Sequence, residues 1–252
     1  MDLTTLKQQW LDEEAIAHIH GWDFFHLAGR CVDIGEIPWN YEEIVQAHRC
    51  DSHKLLDIDT GGGEVLLTLG HPYENTYATE GYAPNVQLCR ERFAPLGVHF
   101  EEMSDYRHMP FEDNTFDRII NRHGSYDAAE LYRTLKPGGL FITQQVGDDN
   151  DRALVDLLLP DTPIPFPGQN LTEQSRVFRE AGFTIVRGEE CFRPMRFYDI
   201  GAVVWFARII QWEFPNFSVE ACFDRLVEAQ RLLEQQGYVE CMTHRYLIIA
   251  QK

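Results

Sequence analysis

The sequence predicts an α/β fold, with a mostly parallel sheet covered by helices on both faces. From Lys54 onward, short apolar runs alternate with segments of helix length, the pattern of strands joined by helical crossovers. The first of these runs, KLLDI, ends in the glycine cluster at residues 61–63, where a buried strand turns sharply into a helix. Further on, KPGG separates a helical stretch from the apolar run LFITQQ, so the alternation continues.

Leu3, Leu6 and Trp10 recur at helical spacing and predict an amphipathic N-terminal helix. It lies in an extension over residues 1–48 that continues through the aromatic-rich GWDFFHLAGR and IPWNYEEIVQAH. KLLDI is the first strand and TYAT the second. A helix follows, with Pro84 in its first turn and Gly97 at its close. VHFEE and FDRIIN are the third and fourth strands. A helix over residues 127–135 ends in the KPGG turn, and LFITQQ is the fifth strand. Residues 160–170 hold four prolines and suit neither a helix nor a central strand. They read as a loop over the site or as a plain connector. A helix at 172–181 and the strand FTIVRG come next. Ser218 caps a longer helix with Val219, Phe223, Leu226 and Leu233 on one face and Gly237 at its end. The final strand lies near HRYLIIA. The extension 1–48 thus precedes one large domain over residues 49–252, and no internal repeat or low-complexity tract is visible.

The 252 residues suit a single large domain with such an extension. No apolar run approaches the roughly 20 residues of a membrane span, and the acidic N-terminus lacks the features of a signal peptide, so a cytoplasmic location is expected. A formal net charge of −18 argues against nucleic acid as substrate, although it also serves solubility. The six cysteines form no CxxC pair, so no structural zinc, and no metal in the site, is expected.

LLDIDTGGGE, residues 55–64, carries the most chemistry. Glycines after a strand let the backbone approach a ligand closely. The spacing is neither GxGxxG nor that of a P-loop. Glu80, about 20 residues further on, ends the second strand, where a carboxylate can accept both hydroxyls of a ribose. A solvated loop glutamate is the alternative. Asp105, after the third strand in SDYRHMPFEDNTFD, can accept from an adenine amino group or cap a turn, and Tyr106 offers a flat face and a backbone N–H.

In this order, LLDIDTGGGE, TEGYAPNV, SDYRHMPFEDNTFDRIINRH and LYRTLKPGGLFITQQ resemble the class I S-adenosylmethionine-dependent methyltransferases over residues 55–145. The flanks MRFYDIGAVVWFARIIQWEFPNFSVE, GWDFFHLAGR and PWNYEEI look similar to a large bacterial group of that class. The resemblance implies a Rossmann-like sheet of seven strands, six parallel and the last antiparallel. It also implies S-adenosyl-L-methionine as cofactor, held by Asp57, Asp59, Thr60, Gly61, Gly63, Glu80, Gly81, Ser104, Asp105, Tyr106, Asn121 and His123. One departure stands out: Asp59 occupies the place of the first glycine in the family's Gly-x-Gly-x-Gly pattern, where a carboxylate can bond a backbone amide or the cofactor's ammonium, or crowd the site.

Methyl transfer from a sulfonium is an in-line displacement, helped mainly by alignment, and needs a base only for a protonated acceptor. His123, just after the fourth strand, is the first candidate for that base and Tyr126 the second. The alternative is that His123 lends only its backbone to the cofactor. Trp22, Phe24, Trp39, Tyr41, Phe197, Tyr198, Trp205 and Trp212 flank the motifs. They either line an acceptor pocket or, for most of them, pack the core. The N-terminal segment and an insert at 192–214 are expected to roof that pocket, with the proline-rich loop at its rim. Arg30 or Arg122 is expected to pair with the cofactor carboxylate or to remain a surface charge. The expected activity is methylation of a small molecule. An RNA or protein methyltransferase, a non-catalytic cofactor-binding protein and a nicotinamide-dependent enzyme are the other readings; the charge and the glycine spacing weigh against the first and last of these.

Overall fold

The computed structural model describes residues 2–18 and 24–252. By its contacts the chain divides into two compact units. The first comprises Met1–Ile37, Asp148–Pro167 and Phe192–His244, and the second Pro38–Gly147, Gly168–Cys191 and Arg245–Lys252.

The second unit holds strands β2 (Leu55–Ile58), β3 (Thr76–Glu80), β4 (His99–Glu102), β5 (Phe116–Arg122) and β6 (Leu135–Val146). It also holds the first part of β7 (Thr184–Phe197) and the last part of β8 (Val239–Gln251). Their order is β7-β8-β6-β5-β2-β3-β4. β2 pairs in parallel with β3 and β5, β3 with β4, and β5 with β6. β8 runs antiparallel to β6, from Leu140↔Gln251 to Val146↔Arg245, as expected for a last strand that enters between two others. From β2 the chain moves outward through β3 and β4 and then returns to β5 on the other side of β2. The order therefore reverses between β2 and β5, and the carboxyl ends at such a reversal are where open α/β sheets bind their ligands.

Local chemistry starts the helices of this unit. Asn40 caps α2 (Tyr41–His48) by accepting from the N–H of Glu43; Asp127 caps α5 (Ala128–Thr134) through Glu130; Asn170 caps α7 (Leu171–Glu180) through Glu173. Each satisfies an N–H that has no partner inside its helix. α3 (Glu64–Thr68) and α4 (Ala83–Phe93) flank the glycine turn, and Pro84 sits in the first turn of α4. Leu56, Ile58, Phe116, Ile119, Phe141, Phe178, Tyr246 and Ile248 share the apolar core of this unit.

The first unit contains α1 (Leu3–Ile16), β1 (Cys31–Asp33), α6 (Arg152–Leu158), α8 (Ile200–Ile209) and α9 (Phe223–Gln236). Trp10, Leu154, Phe197, Val203, Trp205, Phe214 and Leu226 are buried in its core.

Three expectations change. An eighth strand, β1, pairs antiparallel with the end of β7, Cys31↔Phe197 to Asp33↔Met195. Its three residues are too few to show a period in the sequence. KPGG is an irregularity inside β6 rather than a separate turn: the register jumps from Phe116↔Leu135 to Arg118↔Leu140, and Gly138 and Gly139 exchange bonds with Lys252. Ser218 caps only a turn, accepting from the N–H of Ala221, and α9 begins at Phe223. Residues 160–170 contain no helix or strand. No helix among the described residues is long and apolar enough to cross a membrane.

Candidate cofactor and active site

Because β2, β3, β4 and β5 are parallel, their carboxyl ends share one edge of the second unit. After Ile58 the chain turns through Asp59, Gly61 and Gly63, at φ 54°, 64° and 81°. At Gly63 a Cβ would lie 2.3 Å from the Phe93 ring, so the absence of a side chain lets α3 start against α4. At Gly61 nothing lies within 4 Å of the position a Cβ would take, which leaves that face of the turn open.

Glu80 ends β3 and points its carboxylate at the same turn. Oε2 accepts the N–H of Gly61 at 2.8 Å, and Oε1 accepts those of Gly81 and Tyr82 at 2.8 Å each. The amide of Asn85 is 3.5 Å from Oε2. Gly81 must be small, because a Cβ there would stand 2.6 Å from the Met103 carbonyl oxygen.

Two further carboxylates lie at the end of β2. Asp57 is 6% exposed, and its Oδ2 accepts the Thr60 hydroxyl at 2.6 Å. Burial pushes its pKa up to about 7; the Thr60 hydrogen bond opposes this, and the charges of Asp59 and Glu80 reinforce it. Asp59 accepts the Tyr106 hydroxyl at 2.5 Å and the Ser125 N–H at 2.9 Å, so it joins the segment after β4 to the segment after β5. Burial raises its pKa as well, against the two hydrogen bonds.

The other expected residues fall in varied places. Ser104 and Asp105 are exposed. The Asp105 carboxylate accepts from the His108 ring and from the backbone and side chain of Arg107, which hold its pKa down at about 2. In this structure it caps its own turn. Asn121 is fully buried beneath the edge, donating to the Ile58 carbonyl at 2.9 Å and accepting from Thr143 and Gln145. It ties β5 to β2, and its amide is spent within the sheet.

His123 follows β5 with φ 61°. The residue is exposed. Partial desolvation, then the charges of Arg245 and Arg122, push its pKa down to about 3. Nε2 lies 3.1 Å from the Gln144 amide nitrogen, and Gln144 accepts in turn from Trp39 Nε1 at 2.8 Å. The amide donates, so Nε2 accepts and the ring proton sits on Nδ1. Tyr126 packs its ring against Phe141 and Phe178 and donates to Gln174 at 3.2 Å. Burial raises its pKa to about 12.

Sequence reasoning missed Gly124, Ser125, Asn85, Gln144 and the Trp39–Gln144 link. Gly124 left a signal, as a glycine directly after the fourth strand. A Cβ there would stand 2.5 Å from that of Asp59. Arg122 ends β5 and acts on His123. Arg30, in the first unit, is committed to Asp199 and Glu13. Of the aromatics, Trp39, Tyr41, Phe197 and Trp205 are buried, Tyr198 and Trp212 are exposed, and Trp22 lies outside the described residues. Residues 1–37 and 192–214 belong to the first unit, and 38–48 to the second. One surface cleft is lined by Arg90, Val98 and Glu101, another in the first unit by Trp10, Arg30 and Leu233. Neither includes a residue of the glycine turn, so the site is assigned from its carboxylates and its place at the strand reversal. In the first unit, Asp148, Asp149 and His244 bring ligand-type atoms within 4.8 Å of one another.

These residues fit a nucleoside cofactor that carries positive charge. Gly61 leaves its face of the turn open, Glu80 stands beside it, and every donor to Asp57, Asp59 and Glu80 named above is neutral.

Residues 56–143 match a family described as a methyltransferase domain. A ubiquinone/menaquinone biosynthesis C-methyltransferase of Desulfotalea psychrophila is 29% identical over 125 residues, covering 46% of this chain and 50% of that one. A phthiotriol/phenolphthiotriol dimycocerosates methyltransferase of Mycobacterium tuberculosis is 29% identical over 126 residues, 42% of this chain and 46% of its own. The chain thus spans about half the length of these curated relatives. Among solved structures, a Bacillus halodurans protein aligns with a TM-score of 0.58 at 15% identity, covering 84% of this chain and 98% of that one. An S-adenosylmethionine-dependent methyltransferase of Methanosarcina mazei aligns at 0.52 and 15%, covering 87% and 99%. At these identities the structures establish the shared fold.

Proposed function

We propose that this chain, which carries a class I S-adenosylmethionine-dependent methyltransferase domain, transfers a methyl group to a small organic acceptor. The observation that carries the reading is the Glu80 carboxylate bonded to the Gly61 N–H, which joins the acid of β3 to the open glycine turn of β2. The two curated relatives are named for a quinone-biosynthesis C-methylation and for methylation of phthiotriol and phenolphthiotriol dimycocerosates, and both names fit a small acceptor. The charge of −18 disfavours an RNA acceptor.

When bound, the cofactor supplies an activated methyl group. Glu80 would hold the ribose hydroxyls with the lone pairs its backbone donors leave free, while the open face of the turn at Gly61 would seat the rest of the cofactor. Asp105 and Tyr106 border the base. His123 is neutral at physiological pH, with Nε2 held by Gln144, so it orients an acceptor by donating from Nδ1. With so low a pKa it is a weak base.

Glu80→Ala tests the reading. Removing an acceptor of two hydroxyls weakens cofactor binding by about 2–4 kcal/mol at ~1–2 kcal/mol per bond. Calorimetry on a variant that melts like the parent measures it, and undiminished affinity removes Glu80 from the site. Turnover of methyl-labelled cofactor with metabolite, RNA and protein fractions identifies the acceptor class; label fixed in RNA or protein overturns the small-molecule reading.

A further inference from the structure

We propose that Asp59 sets the charge selectivity of this site, favouring the positively charged sulfonium form of the cofactor over the neutral thioether left after transfer. The inference rests on the cofactor reading above and deepens it.

Asp59 follows β2 at φ 54°, a left-handed conformation that glycine adopts freely and aspartate tolerates better than most side chains. A carboxylate has been accommodated in a backbone suited to glycine, and the neighbouring residue 124 is itself a glycine that leaves room for it. The carboxylate spans from Tyr106 to Ser125, across the mouth between the segments that follow β4 and β5.

Three carboxylates, those of Asp57, Asp59 and Glu80, share this edge. Their donors are the hydroxyls of Thr60 and Tyr106, the N–H groups of Gly61, Gly81, Tyr82 and Ser125, and the amide of Asn85. All are neutral. Elsewhere in the same unit, acids are matched by cations, as Glu102 is by Arg90, Asp117 by Lys136 and Glu130 by Arg133. The charges acting on Asp57 are those of Asp59 and Glu80, and on Asp59 that of Glu80, all of one sign. A site left negative by its own residues, and partly shielded from water, attracts a cation more strongly than an exposed acid does.

Both cofactor forms carry the ammonium and the ribose, so only the sulfonium charge separates them. In the transfer the sulfur–methyl bond breaks, its electron pair stays on sulfur, and a bond from the acceptor to the methyl carbon forms. The positive charge on sulfur is then lost, and with it the attraction to Asp59, which hastens release of the thioether.

The test is calorimetric titration of the full chain at pH 8 with S-adenosylmethionine and with S-adenosylhomocysteine, on the parent, Asp59→Asn and Asp59→Gly. Asparagine keeps the shape without the charge, and glycine suits the backbone, so a fold defect in one leaves the other informative. The parent is expected to prefer the sulfonium form by about tenfold or more, and both variants to lose about tenfold of that ratio, chiefly through weaker sulfonium binding. An unchanged ratio in the folded variants overturns the proposal. So does an equal loss for both ligands, which places Asp59 on the ammonium. A parent that binds neither ligand overturns the cofactor reading itself, and this proposal with it.

Discussion

Asp57 shows how a single buried residue ties the site to stability. Burial raises the pKa of its carboxyl to about 7 in the folded chain, against an ordinary value of 3.8. Between those values the folded state keeps a proton that the unfolded state has released, so stability falls as pH rises through that window and levels off above pH 7. The full contribution is on the order of 4 kcal/mol. Asp57→Asn is therefore expected to flatten the fall in stability between pH 5 and pH 8, measured by urea denaturation at both. Acids such as Asp117 and Asp199, whose pKa values are lowered, act in the opposite direction in parent and variant alike, so they cancel in the comparison. A parent and variant with the same pH profile would mean that Asp57 is not held protonated.

At the scale of elements, the glycine turn has two jobs assigned to different residues. Gly63 serves packing, since its missing Cβ is the space filled by Phe93 of α4. Gly63→Ala forces both a disfavoured backbone and a steric overlap, and should cost about 2–4 kcal/mol in thermal or urea unfolding. Gly61 has the same sign of φ but open space, so Gly61→Ala should cost only about 1–2 kcal/mol of stability. Its larger effect should appear as weakened cofactor binding in calorimetry, because the new methyl group enters the open face. Equal stability losses at the two positions would contradict this division.

For the molecule as a whole, each of the two units has its own apolar core, and every residue assigned to the cofactor lies in the second. Trp10 is buried in the first, with its ring 5.9 Å from that of Phe223. Trp10→Ala should destabilise that unit by about 3–5 kcal/mol. The residues assigned to the cofactor all lie in the second unit, so cofactor affinity should stay within about twofold below the melting temperature. Loss of cofactor binding in a variant that still melts cooperatively would count against this separation.

What the sequence determined by itself was whatever rests on neighbours along the chain. The strand–glycine–helix turn, the acid at the end of the next strand, the order of strands β2 to β6, and the caps that begin with Asp127 or Asn170 all depend on residues a few positions apart, where propensity and hydrogen-bonding reach act directly. Tertiary structure decided the rest. The tie from Asp59 to Tyr106 bridges 47 positions, and that to Ser125 bridges 66. KPGG reads locally as a turn, yet it became part of a strand because Lys252 pairs with its glycines. The three residues of β1 are a strand only because β7 offers an edge. His123 has an ordinary imidazole in the sequence, but partial burial and two arginines make it a weak base in the fold. Solvation and charge depend on distance in space, and only the folded chain sets those distances.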